Sequence, residues 1–133
     1  MKLRVIAVGD LECEDPETAE QLKDRMEDSC TPIALQEGAI WWHWATRIRR
    51  APDETTKLRK MRVFGVIDLP EEADFRTGLH LQDRVEKALT PYFDSFGVSW
   101  RFFDTQVRRD KGPEEGKAER LKIRTTDRGV RIS

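Results

Sequence analysis

The chain has 133 residues, 38% of them hydrophobic and 37% charged, with a formal net charge of −1. That is the length of one domain with a sizeable core, and no run of about 18 apolar residues is present to span a membrane. The near-neutral balance argues against a general polyanion binder, and the two cysteines, Cys13 and Cys30, lack metal-ligand spacing and read as reduced thiols.

Residues 3–8, Leu-Arg-Val-Ile-Ala-Val, are almost continuously apolar and predict a central strand covered on both faces, ended by Gly9-Asp10. They open a chain whose first residues are too soon acidic for a signal peptide, so secretion is not expected. Asp15-Pro16 predicts a helix start, with a side-chain cap followed by proline in the first turn. Ala19, Leu22, Met26 and Cys30 then form one apolar stripe, and Pro32 predicts a stop near Cys30.

Residues 38–50 hold three of the four tryptophans in an alternating pattern. Ile40, Trp42, Trp44, Thr46 and Ile48 share one face, which predicts that Trp42 is core. Trp41, His43, Ala45, Arg47 and Arg49 share the other, which turns from aromatic to cationic. Residues 51–55 read as a turn. In the strand that follows, Met61, Val63, Ile67 and Leu69 lie on one face, and Leu58, Lys60, Arg62, Phe64 and Val66 on the other. Together they predict a long basic hairpin over 38–69.

An acidic loop at 71–77 precedes a helix predicted from about Leu79 to Phe96. Leu81, Val85, Ala88, Leu89, Tyr92 and Phe96 mark its buried face, with a kink or split at Pro91 and a cap at Gly97. Val98, Trp100 and Phe102 alternate with Ser99, Arg101 and Phe103 in a strand reaching about Val107. A flexible polar turn at 110–119 leads to a last strand, Leu121–Thr125, with a small hairpin around residues 127–129. The order β-α-β-β-α-β-β predicts a single α+β domain over 1–133. It consists of one mixed or antiparallel sheet with two helices on one face, and Trp, His, Phe and Arg on the other.

Charge is segregated along the chain: −6 over residues 1–37, +4 over 38–70, −3 over 71–100 and +4 over 101–133. Such blocks predict a two-sided molecule able to stack on itself or on an oppositely charged partner. No Walker loop, dinucleotide fingerprint, HExxH or CxxC occurs. His43 sits between tryptophans and His80 near a helix start, neither beside a nucleophile at a matching spacing. The expectation is a non-enzymatic chain without catalytic or metal-binding residues, cofactor or small-molecule substrate.

Two resemblances give this expectation a form. The first-strand run Ile6–Leu11 and the run Arg62–Leu69 resemble signatures of RNA-recognition domains, which share the β-α-β-β-α-β order. Those domains stack bases on aromatics of the two central strands, and here Ala7 takes the first-strand aromatic position and only Phe64 remains on the third. Residues 59–126 resemble tail-terminator proteins of long-tailed phages in layout. The likeness runs through Phe64-Gly-Val-Ile-Asp-Leu-Pro70, the helix Leu81–Leu89, Gln106-Val-Arg-Arg-Asp110, a glycine-containing turn and Arg120-Leu-Lys-Ile-Arg-Thr125. That resemblance implies a homo-oligomeric ring subunit at the head-proximal end of a tail, found in a virion or the host cytoplasm, with itself and other virion proteins as partners and a possible DNA contact.

Trp41, His43, Trp44, Arg47 and Arg49 are the candidate interface. Arg47, Arg49, Arg50, Lys57, Arg59 and Lys60 are the candidate nucleic-acid-facing set. The alternatives are a small nucleic-acid-binding module with an aromatic and basic sheet face, and an inhibitor or immunity protein binding one protein partner.

Overall fold

The structure, a computed structural model, describes residues 2–50, 57–94, 98–110 and 123–125; within these, the side chains of 49, 50, 110 and 123–125 are outside the description. The elements are β1 (Lys2–Cys13), α1 (Pro16–Gln36), β2 (Trp41–Arg50), β3 (Arg59–Asp68), α2 (Phe75–Leu89), a 3-10 turn (Thr90–Asp94), β4 (Ser99–Asp110) and β5 (Ile123–Thr125). The sheet order is β2-β3-β1-β4-β5, and every neighbouring pair is antiparallel. β1 and β2 therefore run the same way with β3 between them, a split β-α-β arrangement. This is the expected α+β class, with both helices packed on one sheet face. Of the turn expected at 110–119, Asp110 instead ends β4; the rest of it, the turn at 51–55, the cap at Gly97, Phe96, the start of the last strand at 121–122 and the hairpin around 127–129 lie outside the described residues.

α1 starts as its sequence predicts. The Asp15 carboxylate accepts from the Glu17 N–H at 3.0 Å, with Pro16 in the first turn. Its stripe Ala19, Leu22, Met26 and Cys30 is buried. The expected stop at Pro32 is corrected: the helix runs on to Gln36. Pro32 sits on the exposed side, while Ala34 extends the buried stripe to a fifth contact with the core. The helix ends instead at Gly38, at φ +78°, where Gly38 N–H bonds Leu35 O and Ala39 N–H bonds Ala34 O. This paired cap needs a left-handed residue, which glycine supplies without strain. Gly38 and Ala39 thus belong to the helix end rather than to the hairpin.

β1 is central, but its expected covering on both faces is corrected. Leu3, Val5, Ala7, Gly9 and Leu11 are buried against the helices; Arg4, Ile6, Val8 and Asp10 alternate with them and are only half-buried. Gly9 does not end the strand, because the rings of Trp100 and Phe103 fill the space above it and pairing continues to Cys13. A bulge between Asp10 and Leu11 leaves Arg101 unpaired in the ladder and shifts the parity of β4. Trp100 and Phe103, expected on opposite faces, therefore both point into the core. Phe93 of the 3-10 turn meets both rings edge-on.

α2 begins four residues earlier than its sequence pattern predicts. Asp74 caps it, accepting from the Thr77 N–H at 2.9 Å and the Thr77 hydroxyl at 2.8 Å. The helix gives way to the 3-10 turn at Thr90, at the position of Pro91. Buried Gln82 is satisfied by donating to Thr105 Oγ1 at 3.0 Å, which in turn donates to Glu86. No helix among the described residues is long and apolar enough to cross a membrane.

Candidate interface on the open sheet face

The helices cover one side of the sheet, and among the described residues the other side is organised by strand pairing. Register places four rows across β2, β3, β1 and β4. They are Trp41, Asp68, Arg4 and Arg108; His43, Val66, Ile6 and Gln106; Ala45, Phe64, Val8 and Asp104; and Arg47, Arg62, Asp10 and Phe102. Ile6, Val8, Phe64 and Val66 make an apolar centre, each half-buried with nothing from the helix layer over it.

Two bidentate ion pairs bracket this centre. Arg4 donates to Asp68 at 2.6 and 3.1 Å, and Arg62 donates to Asp10 at 2.7 and 3.1 Å. Each links β1 to β3 through a planar fork, which fixes the arginines flat on the sheet. Hydrogen bonding to the Asp10 carboxylate strengthens the hold of Arg62 on its proton.

Trp41 is 49% exposed and stacks on His43, with ring centroids 6.0 Å apart and planes 19° from parallel. The Arg47 guanidinium lies 5.8 Å from the Phe64 ring centre. A cation over an aromatic face is held there by the ring quadrupole. Of the expected surface set, the open face thus carries Trp41, His43 and Arg47, together with exposed Lys60. Trp44 is corrected. It is 4% exposed, on the helix side, because its parity matches Trp42 and Thr46 rather than Trp41. Trp42 is half-buried at the edge of the core and is not the fully buried residue its parity predicts. Ile40 and Ile48, on the expected apolar face, are 55% and 53% exposed, since they lie beyond the reach of the helices. Lys57 is exposed, and Arg59 faces the helix side opposite Cys13. Arg49 and Arg50 lie in β2, with side chains outside the description.

Residues 3–12 carry a signal for this face beyond their near-continuous apolar character. Arg4, Asp10 and Glu12 alternate with apolar residues, as in a strand wet on one side. The bulge hid Phe102 and Asp104. Asp104 is 5% exposed and stands opposite Val8; its Oδ2 accepts from Gln106 at 3.5 Å and its Oδ1 is buried without a partner. Burial pushes its carboxyl above the usual range. The folded state then binds the proton more tightly than the unfolded one, so this group's contribution to stability falls as pH rises through the carboxylate range. Asp104→Asn is expected to raise Tm at neutral pH, with the gain vanishing in acid where both states are protonated. Thermal melts of the two proteins across pH check this.

The histidines stay apart: His43 is on the open face, and His80 on α2 is 3.5 Å from Glu37. Among the described residues, no three His, Cys, Asp or Glu side chains are grouped to hold a metal ion. Cys13 and Cys30 are buried free thiols, and burial pushes Cys30 up to about 12. No known protein-family model matches the sequence, and no curated protein matches it.

Proposed function

We propose that this chain is a non-enzymatic assembly protein that packs its open sheet face on a neighbouring protein. Its specific form is a tail-terminator-like subunit of a homo-oligomeric ring in a virion. The observation that carries this reading is the open face itself. An apolar centre of Ile6, Val8, Phe64 and Val66 sits inside a rim of fixed ion pairs and an exposed Trp41. This arrangement supports the reading, because protein interfaces combine an apolar middle, a polar rim and aromatic and arginine anchors. β2, at the sheet edge among the described residues, adds a free backbone edge beside it. The layout of residues 59–126 supports the ring form.

The test is mass by light scattering on a sizing column, with the absorbance ratio read for nucleic acid. The expected result is a multiple of 15.5 kDa free of nucleic acid; a monomer at high protein concentration overturns the reading. Trp41→Ala is expected to keep the thermal melt near wild type and to weaken the association. Unfolding of this variant would mean that Trp41 is a core residue.

Trp41, His43 and Arg47 along β2 favour a second reading, a single-strand nucleic-acid surface that stacks bases and contacts phosphate. A preparation that carries nucleic acid at low salt and sheds it at high salt would put this reading first.

A further inference from the structure

We infer that the surface docked on the open sheet face is the outer side of α1 from a second copy of this chain. The inference rests on the self-assembly reading above and names the two surfaces that meet.

The outer side of α1 is opposite its buried stripe and carries Glu17, Gln21, Asp24, Asp28, Pro32 and Leu35, all exposed. It is acidic for its first three turns and apolar at its end, where Leu35 is 60% exposed. Glu20, on the flank of the helix, accepts from Thr46 of its own sheet, and Arg25 is the opposing charge on the outer side. Lys23 is drawn in among Glu20, Asp24 and Glu27 at 3.8, 2.6 and 3.9 Å. The open face has the complementary order. Trp41 lies at one end, the apolar centre in the middle, and Arg47 and Lys60 at the other end.

The spacings agree. Along β2, Trp41 and Arg47 are roughly 20 Å apart at the rise of a strand, and Lys60 lies about two residues further along β3. Along α1, Asp28 and Asp24 stand roughly 10 and 16 Å from Leu35, and Glu17 roughly 27 Å, at the rise of a helix. With Leu35 over the Trp41 end, Asp24 falls beside the Arg47 head group, which leans back across Phe64, Asp28 falls about one row short of it, and Glu17 falls near Lys60. The contact joins two different surfaces, so each copy keeps one of each free. Head-to-tail growth follows, closing into a ring where the rotation permits.

A charge swap tests the pairing. Arg47→Glu with Lys60→Glu, and separately Asp24→Lys with Asp28→Lys, are each expected to raise the dissociation constant for self-association at least about tenfold. The protein carrying all four changes is expected to return to within about threefold of wild type, because the charges face each other again. If the four-fold variant stays as dissociated as the pairs, or the α1 pair associates like wild type, this docking is overturned while open-face assembly stands. A monomeric wild type overturns both. All four positions are exposed, and circular-dichroism melts confirm folding. Where a reversal unfolds the protein, Arg47→Gln and Asp24→Asn replace it, each expected to weaken association and jointly to weaken it less than their sum.

Discussion

Trp100→Ala is expected to cost about 3–5 kcal/mol of folding stability, the range for a buried tryptophan truncated to a methyl group. Its ring is fully buried and meets Phe93 and Phe103 edge-on, at centroid distances of 5.6 and 5.7 Å. Its indole N–H donates to Tyr92 O at 3.3 Å, so truncation also removes this tie to the 3-10 turn. The cavity would open directly over Gly9, whose backbone cannot move up to fill it without breaking its ladders to β3 and β4. Stability of a domain this size is about 5–15 kcal/mol, so the loss takes a large share of it. Denaturant titration checks this: the midpoint should fall with the slope unchanged. A shift under about 1 kcal/mol would show that the site collapses around the missing ring.

Gly65→Ala is the second large effect, and it works by crowding. Gly65 pairs with Trp44 across β2 and β3, and the indole lies flat over it. A Cβ there would stand 2.5 Å from two atoms of that ring, closer than real contacts allow. Trp44 cannot swing away cheaply because it is 4% exposed beneath the helix layer. Overpacking of this kind costs about 1–3 kcal/mol, and Gly65→Val should cost more. Trp44→Leu in the same chain is expected to relieve part of the cost, so the two changes together should destabilise less than their sum. Additive effects would mean that the added methyl group clashes with something other than Trp44.

The pattern of each prediction follows from which parts of the fold are legible in residue order. Helical stripes are legible because the period of a helix repeats over many residues. Ala19, Leu22, Met26 and Cys30 all reach the core, as do Leu81, Val85 and Leu89. The faces of the hairpin are legible for the same reason, with Met61, Val63 and Ile67 buried and Phe64 and Val66 on the open side. What fails is whatever depends on a partner far away in sequence. Pro32 is tolerated because the core rewards Ala34 beyond it. The bulge at Asp10 and Leu11 is a property of two strands about 90 residues apart, and a single-residue slip turns every later side chain over. Because of that slip, alternation alone sets Trp100 and Phe103 on opposite faces and gives no sign that Phe102 and Asp104 share the open face. The candidate interface was half legible: Trp41, His43 and Arg47 follow from alternation. Ile6, Val8 and the two arginine–aspartate pairs required knowing that the helix layer covers only one side of β1.

The central place of β1 also bears on how the chain reaches this state. Arg4 pairs with Asp68 and Lys2 with Asp110, so the strand made earliest needs partners made much later. At a synthesis rate of about 5–20 residues per second, roughly 5–20 s separate Lys2 from Asp110. During that interval Leu3, Val5, Ala7 and Leu11 have no completed sheet to enter. The β2–β3 hairpin and α1 close over short stretches, whereas seating β1 requires closing much longer loops. Refolding is therefore expected to be slow for the domain's size, with insertion of the central strand as its late step.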